Sequence, residues 1–463
     1  MKINMYKALL AGLIAATTLA GCEDERNNFM VDDTLSFVNA TQYADVSVYN
    51  EHYALAVLKN GKGLQEAKAC VEVSPAAMEE YNKAHQTQFV QLPEECYTIA
   101  KPQVGFPEGA VRKFVEITWK TAEVIKLDAT KDYVIPLQLS AANNALKVDE
   151  NRDVMLINLK RATLNMEKET AAFYPSADRS SAPFEGSIAI NSALADMDVT
   201  VSYEIDNKLI EAYNKAHATS FTAAPEGFAT LDARESQLPA GNLSTKFSGK
   251  INSAALFSGN TLQTQGAYLI PIRITGSSLE GVTIEKNIMY ITITMDKVLK
   301  GPWTVLEGQK NCFAEDPNAP AWAKKYTSDK LFDGEFDDNH CWISSWDNGP
   351  IKFPMDFVVD MGKTQVFTKF YISDYTTHQG NLRDYKIYTA EEYKGADTKW
   401  NLVASGMRDY AWAAQPAPYA YPVQKYIAGR YLKFSIIKPE NPIDSKDYLN
   451  GRGKLADVQG VGF

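Results

Sequence analysis

The chain has 463 residues, 22% of them charged and 45% hydrophobic, a balance typical of a folded protein rather than a disordered one. At about 100–200 residues per domain, this length allows two to four domains. The net charge of −10, from 47 basic and 57 acidic residues, argues against nucleic-acid binding, because phosphate binding needs a basic stripe. Six of the seven Trp fall after residue 300, so the end of the chain is expected to differ from the rest.

The first 21 residues have the pattern of an export signal. Lys2 and Lys7 precede a short apolar run, 8–20, which is too short for a bilayer core that takes about 20 residues to span. The run ends in Leu-Ala-Gly-Cys22, which resembles the bacterial lipobox, in which Cys22 would carry the lipid. The alternative is an ordinary signal peptide followed by a chance cysteine. We expect a protein that is anchored to a membrane rather than spanning it.

An acidic cluster, 23–25, follows Cys22 directly. It resembles the signal that sends Bacteroidetes lipoproteins to the outer face of the outer membrane; the alternative is a merely solvated tether. Residues 22–32 are predicted to be this tether, and the expected location is the outer membrane, facing the cell exterior.

Four cysteines remain, and they fall into two pairs, Cys70 with Cys96 and Cys312 with Cys341. An exported protein permits disulfides, but the spacing leaves buried thiols equally open.

The middle of the chain contains an internal duplication. The run Tyr-Asn-Lys-Ala-His at 81–85 recurs at 213–217, and the match continues in order to Tyr-Val-Ile-Pro at 133–136 and Tyr-Leu-Ile-Pro at 268–271. Each copy alternates like β-strands, for example at 199–205, and carries one helix, capped by Ser74 in the first copy and by Asp206 in the second. The repeated run is interpreted as a structural contact near the helix end, rather than as a functional motif.

Short strands with one helix in about 130 residues indicate an immunoglobulin-like sandwich. The ordered motifs resemble a Bacteroidetes lipoprotein domain of unknown function that also precedes the catalytic barrel of some endo-β-N-acetylglucosaminidases. This resemblance implies a spacer or docking module at 33–160 and again at 161–297, and it implies no catalysis. Residues 297–302 are predicted to be a linker.

The segment 303–463 has a different pattern. An Asp-Gly loop at 333–334 precedes Trp-Ile-Ser at 342–344, Asp-Met-Gly at 360–362 and Arg-Tyr at 430–431. This order resembles the discoidin, or coagulation-factor type C, domain, and it implies a jelly-roll sandwich of the galactose-binding kind. Trp342 and Trp400 are predicted to be core residues, and Arg430 is predicted to brace strands. The expected fold class is therefore all-β, with two immunoglobulin-like sandwiches followed by a jelly roll.

The Asp-Gly loop is also a candidate metal site. Asp333 and Asp338 lie in an oxygen-rich turn of the kind that calcium favours, and members of the resembled family often hold a structural ion there. A turn without metal is the open alternative.

Several aromatic residues of this segment fall where loops are expected. Trp346 lies in a Ser/Asp/Asn/Gly-rich stretch, and three Pro rule out an interior strand across 409–422. Exposed rings need a reason, and packing on the C–H face of a sugar is one. The alternative is that these rings pack against the neighbouring sandwich or hold the loop itself in place. The predicted carbohydrate-binding residues are Trp346, Trp412, Tyr419, Tyr421, Tyr375, His378 and Arg383.

No nucleotide-binding, Walker, zinc-protease or serine-hydrolase motif occurs in the sequence, and the three predicted domains leave no room for a barrel of about 250 residues. The leading hypothesis is a non-catalytic surface lipoprotein that binds a glycan beside an outer-membrane glycan importer. A glycoside hydrolase or its accessory protein is the second hypothesis, and a structural or protein-adhesion module is the third.

Overall fold

The computed structural model describes residues 33–38, 41–61, 65–142, 146–194, 196–299, 301, 303–308, 312–335, 340–343, 353–373, 382–407, 419–439, 454–455 and 457–463. These residues form mainly β-strands, arranged as two-sheet sandwiches around three large hydrophobic cores. The predicted all-β fold class is confirmed.

The first sandwich has a sheet of strand order β10-β1-β3-β8-β6 and a sheet of order β2-β11-β9-β4-β7, with β5 pairing at the side of β9. Its helices are α1 (Pro75–His85) and the short α2 (Thr121–Val124). Its strands are β1 (Thr34–Phe37), β2 (Tyr43–Ser47), β3 (His52–Asn60), β4 (Ala67–Val73), β5 (Val90–Gln91), β6 (Tyr97–Ala100), β7 (Gln103–Phe106), β8 (Arg112–Trp119), β9 (Tyr133–Ala141), β10 (Lys147–Val148) and β11 (Val154–Lys160).

The second sandwich repeats this topology, with sheets of order β17-β19-β14-β12-β23 and β13-β24-β22-β15-β18. Its helix is α3 (Ile210–His217). Its strands are β12 (Thr163–Met166), β13 (Thr170–Phe173), β14 (Ser181–Ile190), β15 (Val199–Ile205), β16 (Thr222–Ala223), β17 (Ala229–Leu231), β18 (Glu235–Leu238), β19 (Ser244–Asn252), β20 (Phe257–Ser258), β21 (Thr261–Leu262), β22 (Tyr268–Ser277), β23 (Thr283–Ile284) and β24 (Ile288–Ile293).

The C-terminal sandwich packs a sheet of order β25-β35-β29-β32 against one of order β26-β28-β33-β30-β31. A small sheet pairs β27 with β34. Its strands are β25 (Lys297–Leu299), β26 (Thr304–Glu307), β27 (Trp342–Ile343), β28 (Met355–Gln365), β29 (Phe367–Ser373), β30 (Leu382–Ala390), β31 (Asn401–Met407), β32 (Tyr419–Pro422), β33 (Gly429–Pro439), β34 (Lys454–Leu455) and β35 (Asp457–Gly462). Residues 297–299, expected in the linker, instead pair with β35 and complete an edge of this domain.

The repeated Tyr-Asn-Lys-Ala-His run forms the same contacts in both sandwiches. Asn82 accepts hydrogen bonds from Thr87 Oγ1 (2.7 Å) and Phe89 N (3.0 Å), and its own amide donates to Phe89 O (3.0 Å). Asn214 makes the equivalent three bonds, two of them with Phe221 N and O at 2.9 and 2.8 Å. The asparagine thus holds the chain that leaves each helix, which supports the structural interpretation of the motif.

The aromatic residues of the same run pack as pairs. The rings of Tyr81 and His85 lie 4.1 Å apart, and those of Tyr213 and His217 lie 4.3 Å apart. At the other end of the first helix, Ser74 Oγ accepts from Ala77 N and Pro75 opens the helix, as expected from the sequence. In the second copy Asp206 caps a 3₁₀ turn at 207–209, and α3 begins only at Ile210.

The cysteines do not form the pairs that the sequence left open. Cys70, Cys96 and Cys312 are buried thiols without a disulfide. Burial raises the pKa of the Cys312 thiol to about 11, and Cys312 Sγ donates a hydrogen bond to Tyr326 O. A buried thiol of this kind is unreactive at neutral pH.

The first and second sandwiches meet through the segment that follows β8. The guanidinium of Arg161 donates to the carbonyl of Leu127 at 2.7 Å, and the Tyr49 hydroxyl donates to Glu280 O at 2.8 Å. Gly281 allows close approach, because a Cβ at this position would lie 2.7 Å from the Ile125 side chain.

The second and C-terminal sandwiches meet through the equivalent segment, which follows β19. Here the β20–β21 hairpin lies against residues 426–428: Leu262 N donates to Tyr426 O and Ala428 N donates to Asn260 O, both at 2.8 Å. Val366, Ala428 and Phe463 of the C-terminal sandwich are part of the hydrophobic core of the second sandwich. The two domains therefore share a core where they join.

Candidate functional site

The strands of the C-terminal sandwich place its long connections at one end. Met355 at the start of β28 pairs with Ile436 near the end of β33, and Leu382 at the start of β30 pairs with Pro439. In the facing sheet, Ser373 at the end of β29 pairs with Asp457. Because Val366 alone joins β28 to β29 at the opposite end, both sheets present these strand ends on the same side.

We call this side the loop end; it is defined by the strand ends Met355, Ser373, Leu382, Met407, Tyr419, Pro439 and Asp457. The strand ends of the loop end flank four connections, 344–354, 374–381, 408–418 and 440–453. Residues at the opposite end, including Val366, Ala428 and Phe463, pack on the second sandwich. The loop end therefore faces away from the rest of the described chain.

Most of the predicted sugar-binding residues belong to these connections. Trp346, Trp412, Tyr375 and His378 lie outside the described residues, and so do the side chains of Arg383 and Tyr419. Of the last two, the backbone is described: Arg383 is the second residue of β30 and Tyr419 is the first of β32, and both strands begin at the loop end.

Tyr421 is the one predicted sugar-binding residue whose side chain is described. It lies in β32, an edge strand, rather than in a loop, and its half-buried ring meets Tyr385 edge-on at 5.2 Å. An edge strand agrees with the expectation that the Pro-rich stretch forms no interior strand. Tyr421 therefore contributes to packing of the sandwich.

The three residues predicted to stabilise the fold do so to different degrees. Trp342 is fully buried and packs edge-on against Phe357 at 5.1 Å. Trp400 is only half-buried, with Lys433 Nζ 5.0 Å from its ring centre. Arg430 on β33 donates two 2.9 Å hydrogen bonds to the carboxylate of Asp360 on β28, and this contact lowers the pKa of the Asp360 carboxyl.

Trp322 is an exposed aromatic residue that sequence reasoning did not select. It is 53% exposed and meets Phe313 edge-on at 5.5 Å, in a 3₁₀ turn that leads toward β27 and the loop end. Its sequence, Pro-Ala-Trp-Ala-Lys-Lys, gave no periodicity to separate core from surface. The preceding Pro320 was the available sign of an irregular, exposed segment.

The predicted calcium loop lies beside the same end. Asp333, Gly334, Trp303 and Asp457 line a small cavity of about 70 Å³. Gly334 N donates to Asp457 Oδ1 at 3.4 Å, and Glu335 N donates to Asp333 Oδ1 at 3.0 Å. Asp333 Oδ2 is buried and accepts no hydrogen bond from a described residue, although Lys330 Nζ lies 3.4 Å away.

Two carboxylates on one small cavity fit part of a calcium site, since calcium takes six to eight oxygen ligands. Across the described ranges no group of three or more Asp, Glu, His or Cys is close enough to hold a metal. Asp338, the other predicted ligand, lies outside them.

These observations define a chain of β-sandwich domains, and the loop end of the last one faces away from the others. A family model described as an N-terminal domain matches the chain twice, over residues 26–146 and 154–281, which together are just over half of it. The chain belongs to that family.

Similar solved structures also exist, at low identity. A two-domain protein of unknown function from Bacteroides fragilis is 12% identical, with a TM-score of 0.25, and the match covers 65% of this chain and 94% of that one. The C-terminal domain of a chitobiase from the same bacterium is 18% identical, with a TM-score of 0.28, covering 36% and 98%. A family 32 carbohydrate-binding module from C. perfringens, solved with galactose, is 18% identical, with a TM-score of 0.24, covering 36% and 98%.

Scores this low carry no argument about ligand or activity. No curated protein matches the chain significantly. Among the described helices, none is both long enough and apolar enough to cross a bilayer.

Proposed function

We propose that the protein is a non-catalytic, lipid-anchored surface protein that binds a glycan at the loop end of its C-terminal sandwich. The observation that carries the proposal is the convergence of the strand ends. These strand ends lie at one side, away from the second sandwich, and in the sequence they flank the connections that contain Trp346, Trp412, Tyr375 and His378. Aromatic rings with nearby polar side chains are what a sugar needs from a binding site.

The arrangement of the domains supports the anchored form of this proposal. Asp33 is the first described residue and precedes β1. The start of β1 pairs with Asn60 at one end of β3. The other end of β3, at His52, lies beside the joint with the second sandwich. The start of the first sandwich, to which the predicted tether 22–32 would connect, therefore lies opposite to its joint. Lipid on Cys22 would hold this end at the outer membrane, and the glycan site would face the medium, beside an outer-membrane glycan importer.

Replacing Trp346 or Trp412 with Ala should weaken glycan binding, because a stacked anchor ring commonly contributes about 2 kcal/mol, or about 30-fold in affinity. A glycan array identifies the ligand, and calorimetry measures the affinity of each variant. Trp322→Ala tests the exposed ring beside the loop end. Phe114→Ala, which removes a 52% exposed ring from the first sandwich, is the matched control.

Unchanged affinity in both Trp346→Ala and Trp412→Ala would refute the assigned site. In cells, the labelled glycan should bind at the surface of the wild type, and Cys22→Ser should release that binding into the medium. Reproducible cleavage of the glycan would instead favour the hydrolase hypothesis, and an array without hits would favour the adhesion module.

We further propose that the loop around Asp333 and Asp457 binds a structural calcium ion, with Asp338 as an additional ligand. With calcium at about 100 times its Kd, the folded C-terminal sandwich should gain about 2.7 kcal/mol, seen as a higher Tm. Asp333→Asn should remove this dependence, and Asp397→Asn, at an exposed position in the same domain, should retain it. A Tm that changes neither when calcium is added nor when a chelator is added would contradict the proposal.

A further inference from the structure

A second cavity lies on the first sandwich, far from the loop end. It has a volume of about 360 Å³ and lies between α1 and the strands β9 and β11. Tyr81 and His85, stacked at 4.1 Å, form its aromatic side. Its polar side chains are Gln42, Glu80, Gln138, Glu150 and Asp153. The volume falls within the range of ligand-binding clefts, about 300–1,000 Å³.

The charge of this cavity is uncompensated. Glu80, Glu150 and Asp153 make no ion pair with any residue in the part of the chain that the structure describes. The Asp153 side chain accepts only a long hydrogen bond, 3.4 Å, from Gln138 Nε2. The other amide atom, Gln138 Oε1, accepts from Ser74 Oγ at 3.0 Å. Three carboxylates around one cavity favour a positively charged occupant.

The second sandwich shows what fills the equivalent place. The counterpart of Gln138 in the second copy is Arg273. Gln138 lies between Glu72 and Val154 of the neighbouring strands, and Arg273 lies between the equivalent residues, Glu204 and Ile288. By the same register, Glu150, two residues after β10, corresponds to Lys286, two residues after β23.

Both of these basic residues are held by carboxylates. The Arg273 guanidinium lies 2.9 Å from Asp206 and 3.1 Å from Glu204. Lys286 Nζ lies 2.8 Å from Glu169, the counterpart of Gln42. The second copy thus carries its own cations where the first copy has Gln138, Glu150 and an open cavity.

The cavity does not suit a metal ion. No group of three or more acidic, His or Cys side chains converges on one point within the described ranges, so the three carboxylates surround the space rather than a single ion. The amides of Gln42 and Gln138 can bond hydroxyl groups, and the Tyr81–His85 pair offers a ring surface.

From these contacts we infer that the first sandwich binds a small hydroxylated organic cation, with the chemistry of a non-acetylated amino sugar. Its ammonium takes the place that Arg273 and Lys286 fill in the second copy. The site is separate from the loop end and does not depend on glycan binding there.

The test is calorimetric titration of the full chain with glucosamine, and with glucose and N-acetylglucosamine as matched neutral probes. Glucosamine should bind more tightly than either neutral sugar. The double variant Glu150→Gln/Asp153→Asn should weaken glucosamine binding about tenfold or more, because it removes charged acceptors from the ammonium. Glu226→Gln, exposed on the second sandwich, should leave it unchanged.

Equal affinity for glucosamine and glucose would overturn the inference, as would binding that survives the double variant or an absence of glucosamine binding. Free arginine separates the two sources of such a cation. Binding of arginine without glucosamine would overturn the amino-sugar assignment in favour of a basic side chain of a protein partner. Thermal unfolding of each variant is the check that the first sandwich remains folded.

Discussion

Asn82→Ala should lower the free energy of unfolding of the first sandwich by about 2–3 kcal/mol, because it leaves half-buried backbone groups without partners. The lost bonds are those to the N–H and the carbonyl of Phe89 and to the hydroxyl of Thr87. Asn214→Ala should cost the second sandwich a similar amount, through Phe221 and Thr219. Chemical denaturation followed by fluorescence measures both effects.

The repeated run supplies its own controls. Lys83→Ala and Lys215→Ala change exposed neighbours in the same motif and should stay within about 0.5 kcal/mol of the wild type. Asn82→Asp keeps the two accepted bonds but loses the donated one, so its cost should be intermediate. An Asn82→Ala variant of unchanged stability with impaired ligand binding would show that the motif is functional after all.

Phe463→Ala should lower the stability of the joint between the second and C-terminal sandwiches by about 3 kcal/mol, the cost of emptying a buried aromatic site. Phe463 is 7% exposed, and its ring lies 6.3 Å from that of Phe257. Because the two domains share this core, they should unfold in one calorimetric transition in the wild type, and the variant should separate them into two.

Leu243→Ala is the control for this experiment, since Leu243 lies in the second sandwich and is 55% exposed. It should leave the single transition in place, within about 0.5 kcal/mol. A single, unshifted transition for Phe463→Ala would mean that the shared core does not couple the domains.

Local patterns in the sequence predicted much of the fold. The alternation at 199–205 became β15, and the Ser-Pro start at 74–75 became α1, because capping and strand periodicity depend on neighbours in the chain. The burial of Trp342 followed from the apolar residue beside it in the same way.

The joints and the cavity could not be predicted, because they depend on distant residues meeting. Phe463 and Phe257 are about 200 positions apart, and the cavity draws Glu80 from a helix, Glu150 from a turn and Asp153 from the approach to a strand. The loop end was expected only as separate aromatic stretches. The strand ends beside these stretches lie on one side because of strand register, which a single sequence does not specify.

The two joints use the same position of the repeated fold, the segment after β8 and the segment after β19. Each copy therefore contacts the next domain through the same segment, whether that domain is another copy or the C-terminal sandwich. In such an arrangement the number of copies sets the length of the chain of domains. Adding or removing one copy would change the distance between the start of the first sandwich and the loop end of the C-terminal sandwich, and would leave the C-terminal sandwich itself unchanged.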